Sequence, residues 1–144
     1  MIDRELVLRK MARITADLTA LENLAAKPRE DYLSSEYDEL VAERLLERLV
    51  GRMIDINFHL IVEAGEAPPS NYHASFEILG NKSIVPKKFA GRLAASAGLR
   101  NRIVHDYDDI DPAKVYDALQ LATNDIPEYL SRVRRYLDRL DSDA

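Results

Sequence analysis

The chain has no cysteine among its 144 residues and only five glycines. Without cysteine there is no disulfide framework, no thiolate metal site and no cysteine nucleophile, a composition that suits a reducing cytoplasm. The glycines form no G-x-G-x-x-G, no phosphate-binding P-loop and no G-x-S-x-G elbow. The three histidines, His59, His73 and His105, stand far apart, and none follows a glutamate by three residues. That spacing removes the Glu-x-x-His pairs of di-iron bundles, so neither a metal nor any other cofactor is expected. No apolar run approaches the roughly 20 residues of a membrane span, and the opening MIDRELVLRK lacks the pattern of a signal peptide. The sequence reads as a soluble, cytosolic protein of one domain spanning residues 1–144. A chain of this size buries roughly 70% of the surface its unfolded form exposes.

Acidic residues are missing from one long stretch. The net charge is −5, with 25 acids against 20 bases, yet residues 78–104 hold Lys82, Lys87, Lys88, Arg92, Arg100 and Arg102 and no acid. A local basic field attracts polyanions even on an acidic protein, although a solvated face produces the same tally.

What the sequence has is helical periodicity. Val7, Met11, Ile14, Leu18, Leu21 and Ala25 recur in steps of three and four, and Pro28 closes that first helix. A longer helix is predicted from about Glu30 to Ala64. It carries one stripe through Val41, Leu45, Leu49, Met53, Ile56, Leu60 and Ala64 and a second through Leu46, Val50, Ile54 and Ile61. Two stripes need more than one neighbour, so one is assigned to the bundle and the other to a second chain. MIDINFHLIV also alternates like a strand, but the upstream helical period enters it without a break. Gly65 and Pro68–Pro69 stop that helix. A short helix is predicted from about Ser70 to Leu79 with Ser70 as its cap. Pro86 then opens a helix with a small-residue patch, Ala94 to Gly98. Asp111–Pro112 starts the last helix, which Pro127 should kink or divide. The predicted architecture is all-α, an up-and-down bundle of four to five helices.

The polar residues concentrate in AGLRNRIVHDYDDIDP, residues 97–112. Arg100, His105 and Tyr107 make the pattern R-x-x-x-x-H-x-Y, with Asn101 and Arg102 inside it. These are the residue types that metal-independent RNA cleavage requires. A histidine can take a proton from the 2′-hydroxyl, a guanidinium can bind two oxygens of the phosphorane, and a tyrosine can hydrogen-bond or stack on a base. In a regular helix Asn101 and His105 share a face, with Arg102 within about 60° of His105, but Arg100 is turned roughly 140° away. A π-bulge, unwinding near His105, or pairing across a dimer would bring the two together; the second helix's wide apolar surface favours the dimer. Asp55 and His59, four apart among apolar residues, can hydrogen-bond to each other, as a satisfied core or interface pair or as the lining of a dimer cleft. Lys87, Lys88 and Arg92 can extend a phosphate track. His73 reads as surface.

GLRNRIVHDYDDIDPAKVYDAL, together with the upstream RMIDINFHLIVEAGEAPPSNYHASFEILG, resembles the motif region of HEPN-domain proteins, in particular HepT-type toxins. The resemblance covers roughly residues 37–140. It implies a homodimer with two motif copies facing one cleft and a metal-independent endoribonuclease within a type VII-like toxin–antitoxin pair. It also implies an MntA-type nucleotidyltransferase antitoxin that silences the toxin by moving AMP onto the motif tyrosine, here Tyr107. By this reading Arg100 and His105 are catalytic, and Asn101 and Arg102 position the phosphate or the histidine. The alternative from another class is a non-catalytic module that binds a nucleotide or docks the nucleotidyltransferase. A purely structural bundle would scatter Arg100, His105 and Tyr107 over the surface.

Overall fold

Capping side chains decide where four of the helices begin. In a computed structural model describing residues 1–143, Asp3 accepts from the Leu6 N–H at 3.0 Å and opens α1 (Arg4–Ala25). Pro28 starts the single turn and a half of α2 (Arg29–Leu33). Ser35 then accepts from the Asp38 N–H at 3.2 Å and opens α3 (Glu36–Glu63). The continuous helix expected from Glu30 is therefore divided at Ser34–Ser35, because a serine hydroxyl that takes an N–H of the following turn favours a new helix start over continuation. Asn71, not Ser70, caps α4 (Tyr72–Asn81) by accepting from Ala74 N–H at 2.7 Å. Pro86 precedes α5 (Lys87–His105) as its cap rather than as its first residue. One 3₁₀ turn, Tyr107–Asp109, leads to Asp111, which accepts from Ala113 N–H at 2.9 Å and opens α6 (Pro112–Ser142).

Six α-helices thus replace the four or five expected, and no strand occurs among the described residues. The ambiguous MIDINFHLIV is helical throughout. Pro127 does not divide α6, whose helix continues through it. Pro127 itself is exposed, while Ile126 and Tyr129 on either side are buried and hold both halves in the core.

The two stripes of α3 are both buried within the single chain: Leu45, Leu49, Met53, Ile56 and Leu60 on one, Leu46, Val50, Ile54 and Ile61 on the other. Neither stripe needs a second chain to cover it, contrary to expectation. α3 is the central helix, packed on one flank by α1 and α6 and on the other by α4 and α5, so its wide apolar surface is consumed inside the bundle. Side chains of α6 close the end of α1: Gln120 Nε2 donates to the Ala25 carbonyl at 2.7 Å and the Tyr116 hydroxyl to that of Lys27 at 2.6 Å. None of the helices among the described residues is long and apolar enough to cross a membrane.

Two features fix α4 against its neighbours. The first is its close contact with α5. A Cβ on Gly80 would lie 2.7 Å from the Ala90 Cβ, so only glycine allows this approach. The second is a buried polar chain. The Tyr129 hydroxyl donates to Asn57 Oδ1 at 2.6 Å, Asn57 Nδ2 donates to Ser75 Oγ at 3.1 Å, and Ser75 Oγ donates to the Tyr72 carbonyl at 2.7 Å. Asn57, Ser75 and Tyr129 are fully buried. Each group in this chain has a partner, so it ties α6 through α3 to the start of α4 without an unsatisfied group.

Candidate active site

The motif lies at the end of α5. That helix is α-helical at every residue from Lys87 to His105 and contains neither a π-bulge nor an unwound turn. Arg100 and His105 are therefore separated by roughly 140° around the axis and about 7.5 Å along it. Two of the three ways of joining them are closed, and within one chain they share no cleft.

Arg100 is half-buried and held from several sides. Its guanidinium lies over the Tyr72 ring, 5.3 Å from the centroid, and Nη1 donates to Asn101 Oδ1 at 3.3 Å. Its Nε is buried with no hydrogen-bond partner. Among the described residues it has no carboxylate within ion-pair distance, whereas Arg4, Arg29, Arg48, Arg52 and Arg92 each do. A half-buried cation without a counter-ion is costly unless an anion arrives to pair with it. Tyr72, at the first position of α4 and held by the buried polar chain, is the residue the sequence reading missed. Its only sequence signal was a tyrosine near the start of a short helix.

His105 and Tyr107 stand in the opposite condition. His105 is the last residue of α5 and exposed; Tyr107 is 68% exposed. Tyr107 borders a shallow depression of about 90 Å³ with Tyr32, Glu39, Glu43 and Ile110. Burial, then the charge of Glu39, raises the Glu43 carboxyl above its ordinary range, and burial likewise pushes up the Tyr32 hydroxyl. With Asp106 and Asp108 beside it, Tyr107 sits in acidic surroundings. Arg102 is exposed and borders a different depression, with Asp106 and Asp109.

Arg100 lines two hollows. One is a groove of about 260 Å³ between α5 and α6, floored by Leu46, Val50 and Met53 of α3 and edged by Leu99 and the 59% exposed Leu121. It is predominantly apolar and open because α5 and α6 do not pack along their lengths. The other, of about 340 Å³, is lined by Lys10, Arg44, Arg48, Arg52, Tyr72 and Arg100, with Glu47 and Asp55. The sequence reading missed these α3 arginines because a tally along the chain averages them with the acids of the same helix.

The remaining expectations fare unevenly. Asp55 and His59 do not bond to each other: Asp55 pairs with Lys10 at 2.9 Å, and His59 Nε2 accepts from the Asp3 N–H at 2.8 Å. Both tie α3 to the start of α1, and Asp55 also edges the cationic hollow. Lys87 and Lys88 are exposed, but Arg92 is engaged with Asp125 at 3.1 Å, which weakens the expected track along α5. His73 is exposed and pairs with Glu77 at 2.7 Å. No three His, Asp or Glu side chains among the described residues converge in a metal-binding group.

Comparison with known proteins bears on this arrangement. A family model described as ribonuclease HepT-like matches residues 10–135. The chain is 35% identical over 133 residues to a tRNA nuclease HepT from Aphanizomenon flos-aquae, covering 92% of this chain and 88% of the relative. The fold matches that of a cytosolic protein of unknown function, YutE from Bacillus subtilis, with TM-score 0.84, 20% identity and coverage of 96% and 92% of the two chains. It also matches a tri-AMPylated HEPN toxin from Shewanella oneidensis solved in complex with an MNT antitoxin, with TM-score 0.83, 20% identity and coverage of 94% and 99%. The bundle built around α3, with its motif at the end of α5, has the fold of a HEPN toxin, and the chain belongs to the HepT-like ribonuclease family.

Proposed function

We propose that this protein is the toxin of a toxin–antitoxin pair, a metal-independent endoribonuclease that works as a homodimer. The observation that carries the reading is the guanidinium of Arg100, half-buried, oriented by Tyr72 and Asn101, and without a carboxylate partner. It is a ready site for a phosphodiester. The relative named a tRNA nuclease supports RNA as the source of that phosphate.

Because Arg100 and His105 diverge on one α5, the site forms when two copies meet and the Arg100 of one serves the His105 of the other. The apolar α5–α6 groove, with Leu121 at its edge, is the surface we assign to that contact. In the shared cleft His105 takes the proton of a 2′-hydroxyl, and the 2′-oxygen attacks the adjacent phosphorus. Arg100 binds the oxygens on which charge gathers, and the 5′-oxygen leaves with a proton, giving a 2′,3′-cyclic phosphate. Asn101 holds the Arg100 guanidinium, and Arg102, exposed on the His105 side, meets a neighbouring phosphate.

Tyr107 is the regulated position. Its exposed hydroxyl suits attack on the α-phosphorus of a nucleoside triphosphate held by a nucleotidyltransferase antitoxin, forming a tyrosyl–AMP bond and releasing pyrophosphate. The structural relative that is AMPylated and complexed with an MNT antitoxin supports this. An added phosphodiester beside His105 would repel an RNA phosphate and fill the cleft.

Incubation of the purified protein with cellular RNA in EDTA tests the catalytic reading. Cleavage by the parent and none by His105→Ala is the expected result; equal cutting by the two, or none by the parent, removes it. The second reading, a binding module, draws on the divergence of Arg100 and His105 within one chain. It predicts that cells expressing the wild-type protein and His105→Ala grow equally well.

A further inference from the structure

Arg100 apart, the residues of the cationic hollow on the α3 side have no part in the cleavage chemistry. Arg44, Arg48 and Arg52 recur every four residues along α3, so they project from one face in steps of about 6 Å. With Lys10 and Arg100 they place five cations around the hollow, against Glu47 and Asp55 in its lining. Asp17 engages Arg48 at 3.1 Å and Arg52 at 2.8 Å from the side. Counting Asp17 as well, the hollow keeps a surplus of two positive charges on a protein whose net charge is −5.

The charges are unequally committed. Arg52 is mostly buried, with 17% of its side chain exposed, and is structural. Arg44 is 66% exposed and meets only Glu47, one turn away, at 3.2 Å. Arg48 is 43% exposed. These two heads can turn to an incoming anion without unpacking the helix. Tyr72 completes the wall. It is 40% exposed, with its ring edge-on to Phe58 at 6.1 Å between centroids and the Arg100 guanidinium over it. A site for a bare anion has no use for an exposed aromatic ring, whereas a nucleotide offers both a phosphate and a base that stacks.

We infer that this hollow is a second RNA subsite, in which Arg44 and Arg48 bind a backbone phosphate and Tyr72 packs against a base, next to the phosphodiester held by Arg100. The inference rests on the ribonuclease reading and adds the path of the strand: from the phosphodiester at Arg100 across α3 and the start of α4. Tyr72 also fixes Arg100, so the strand and the scissile phosphate are registered through one side chain.

The test uses full-length protein carrying His105→Ala, so that a labelled single-stranded RNA is bound and not consumed. Adding Arg44→Gln with Arg48→Gln should weaken binding by about tenfold at roughly 0.1 M salt. Its salt dependence should also become shallower by about 0.7 in log–log slope, the contribution of the one phosphate contact removed. Tyr72→Leu should weaken binding about fivefold or more, and Tyr72→Phe should restore it. Arg134→Gln with Arg135→Gln removes the same charge from exposed positions on α6 and should change binding little. Arg44→Glu alone leaves the Asp17 pairs intact and serves if the double variant melts early. Undiminished RNA binding by the α3 variants, while the wild type still cuts RNA, overturns the subsite and leaves the ribonuclease reading standing. Equal weakening by the α6 pair also overturns it, as does loss of nucleotidyltransferase association with RNA binding intact. If the wild type cuts no RNA and the His105→Ala protein binds none, both readings fall.

Discussion

Arg100 and Tyr107 lie seven residues apart in one motif and inhabit opposite environments. Arg100 is half-buried, stacked on Tyr72, bonded to Asn101 and surrounded by arginines and a lysine. Tyr107 is mostly exposed and stands among Asp106, Asp108, Glu39 and Glu43. One end of the motif is pre-organised by tertiary packing to receive an anion; the other is presented to solvent, where a second protein can reach it. A compact sequence motif therefore need not be a compact site. Its parts are sorted onto separate surfaces, and in the proposed dimer a second chain completes what one chain divides.

Restoring activity by mixing puts this contrast under the greatest strain. Arg100→Ala and His105→Ala should each lower RNA cleavage by about 10²-fold or more, with far-ultraviolet circular dichroism unchanged for the exposed His105. Co-refolding the two inactive proteins should return about one quarter of parental activity. Half the dimers are then mixed, and one of the two sites in each is intact. No recovery would place Arg100 and His105 of the same chain in one site, against the unbroken geometry of α5.

Support of Arg100 from below is the next part to test. Tyr129→Phe removes the donor to Asn57 Oδ1 and leaves a buried acceptor unpaired, which should destabilise by about 1–3 kcal/mol. Urea unfolding reads that loss, and RNA binding should weaken with it because the polar chain ends at Tyr72. Gly80→Ala should cost a comparable or smaller amount, about 1–2 kcal/mol, since the new methyl meets Ala90 at the α4–α5 contact. Its thermal melting point checks the value.

The smallest effect belongs to the acidic end. Burial and Glu39 raise the Glu43 carboxyl above its unfolded value. A carboxyl with a raised folded pKa binds more protons folded than unfolded, so stability falls as pH rises through that range. Glu43→Gln should therefore stabilise at pH 7 and give no gain below about pH 4, near the unfolded value. The carboxyl retains solvent contact, which limits the gain to about 0.5 kcal/mol or less. Melting temperatures at the two pH values measure it.

Much of the fold was legible. The stripe Val7–Met11–Ile14–Leu18–Leu21 is buried as its period requires, and Asp111–Pro112 starts α6 as capping chemistry predicts. Errors fell where local signals compete at short range: Ser35 divides a helix that periodicity alone runs through, and Asn71 takes the cap expected of Ser70 one residue earlier. The second stripe of α3 was visible, but its partner was not. Periodicity shows that a face is apolar and does not show whether its own chain or another covers it. The site divides in the same way. Arg100, His105 and Tyr107 are close in sequence and could be picked out by their chemistry, while Tyr72, Arg44 and Arg48 come from other helices and carry no distinguishing local mark.

The helices, their caps and the chemical types gathered at residues 100–107 were set by the order of the amino acids alone, because those depend on neighbours within a turn or two. Packing in three dimensions selected which half-buried cation is left without a counter-ion, which ring supports it and which faces stay open. Those outcomes depend on what α1, α3, α4 and α6 bring across space to α5. Distances in space, not separations in sequence, govern electrostatic pairing and desolvation.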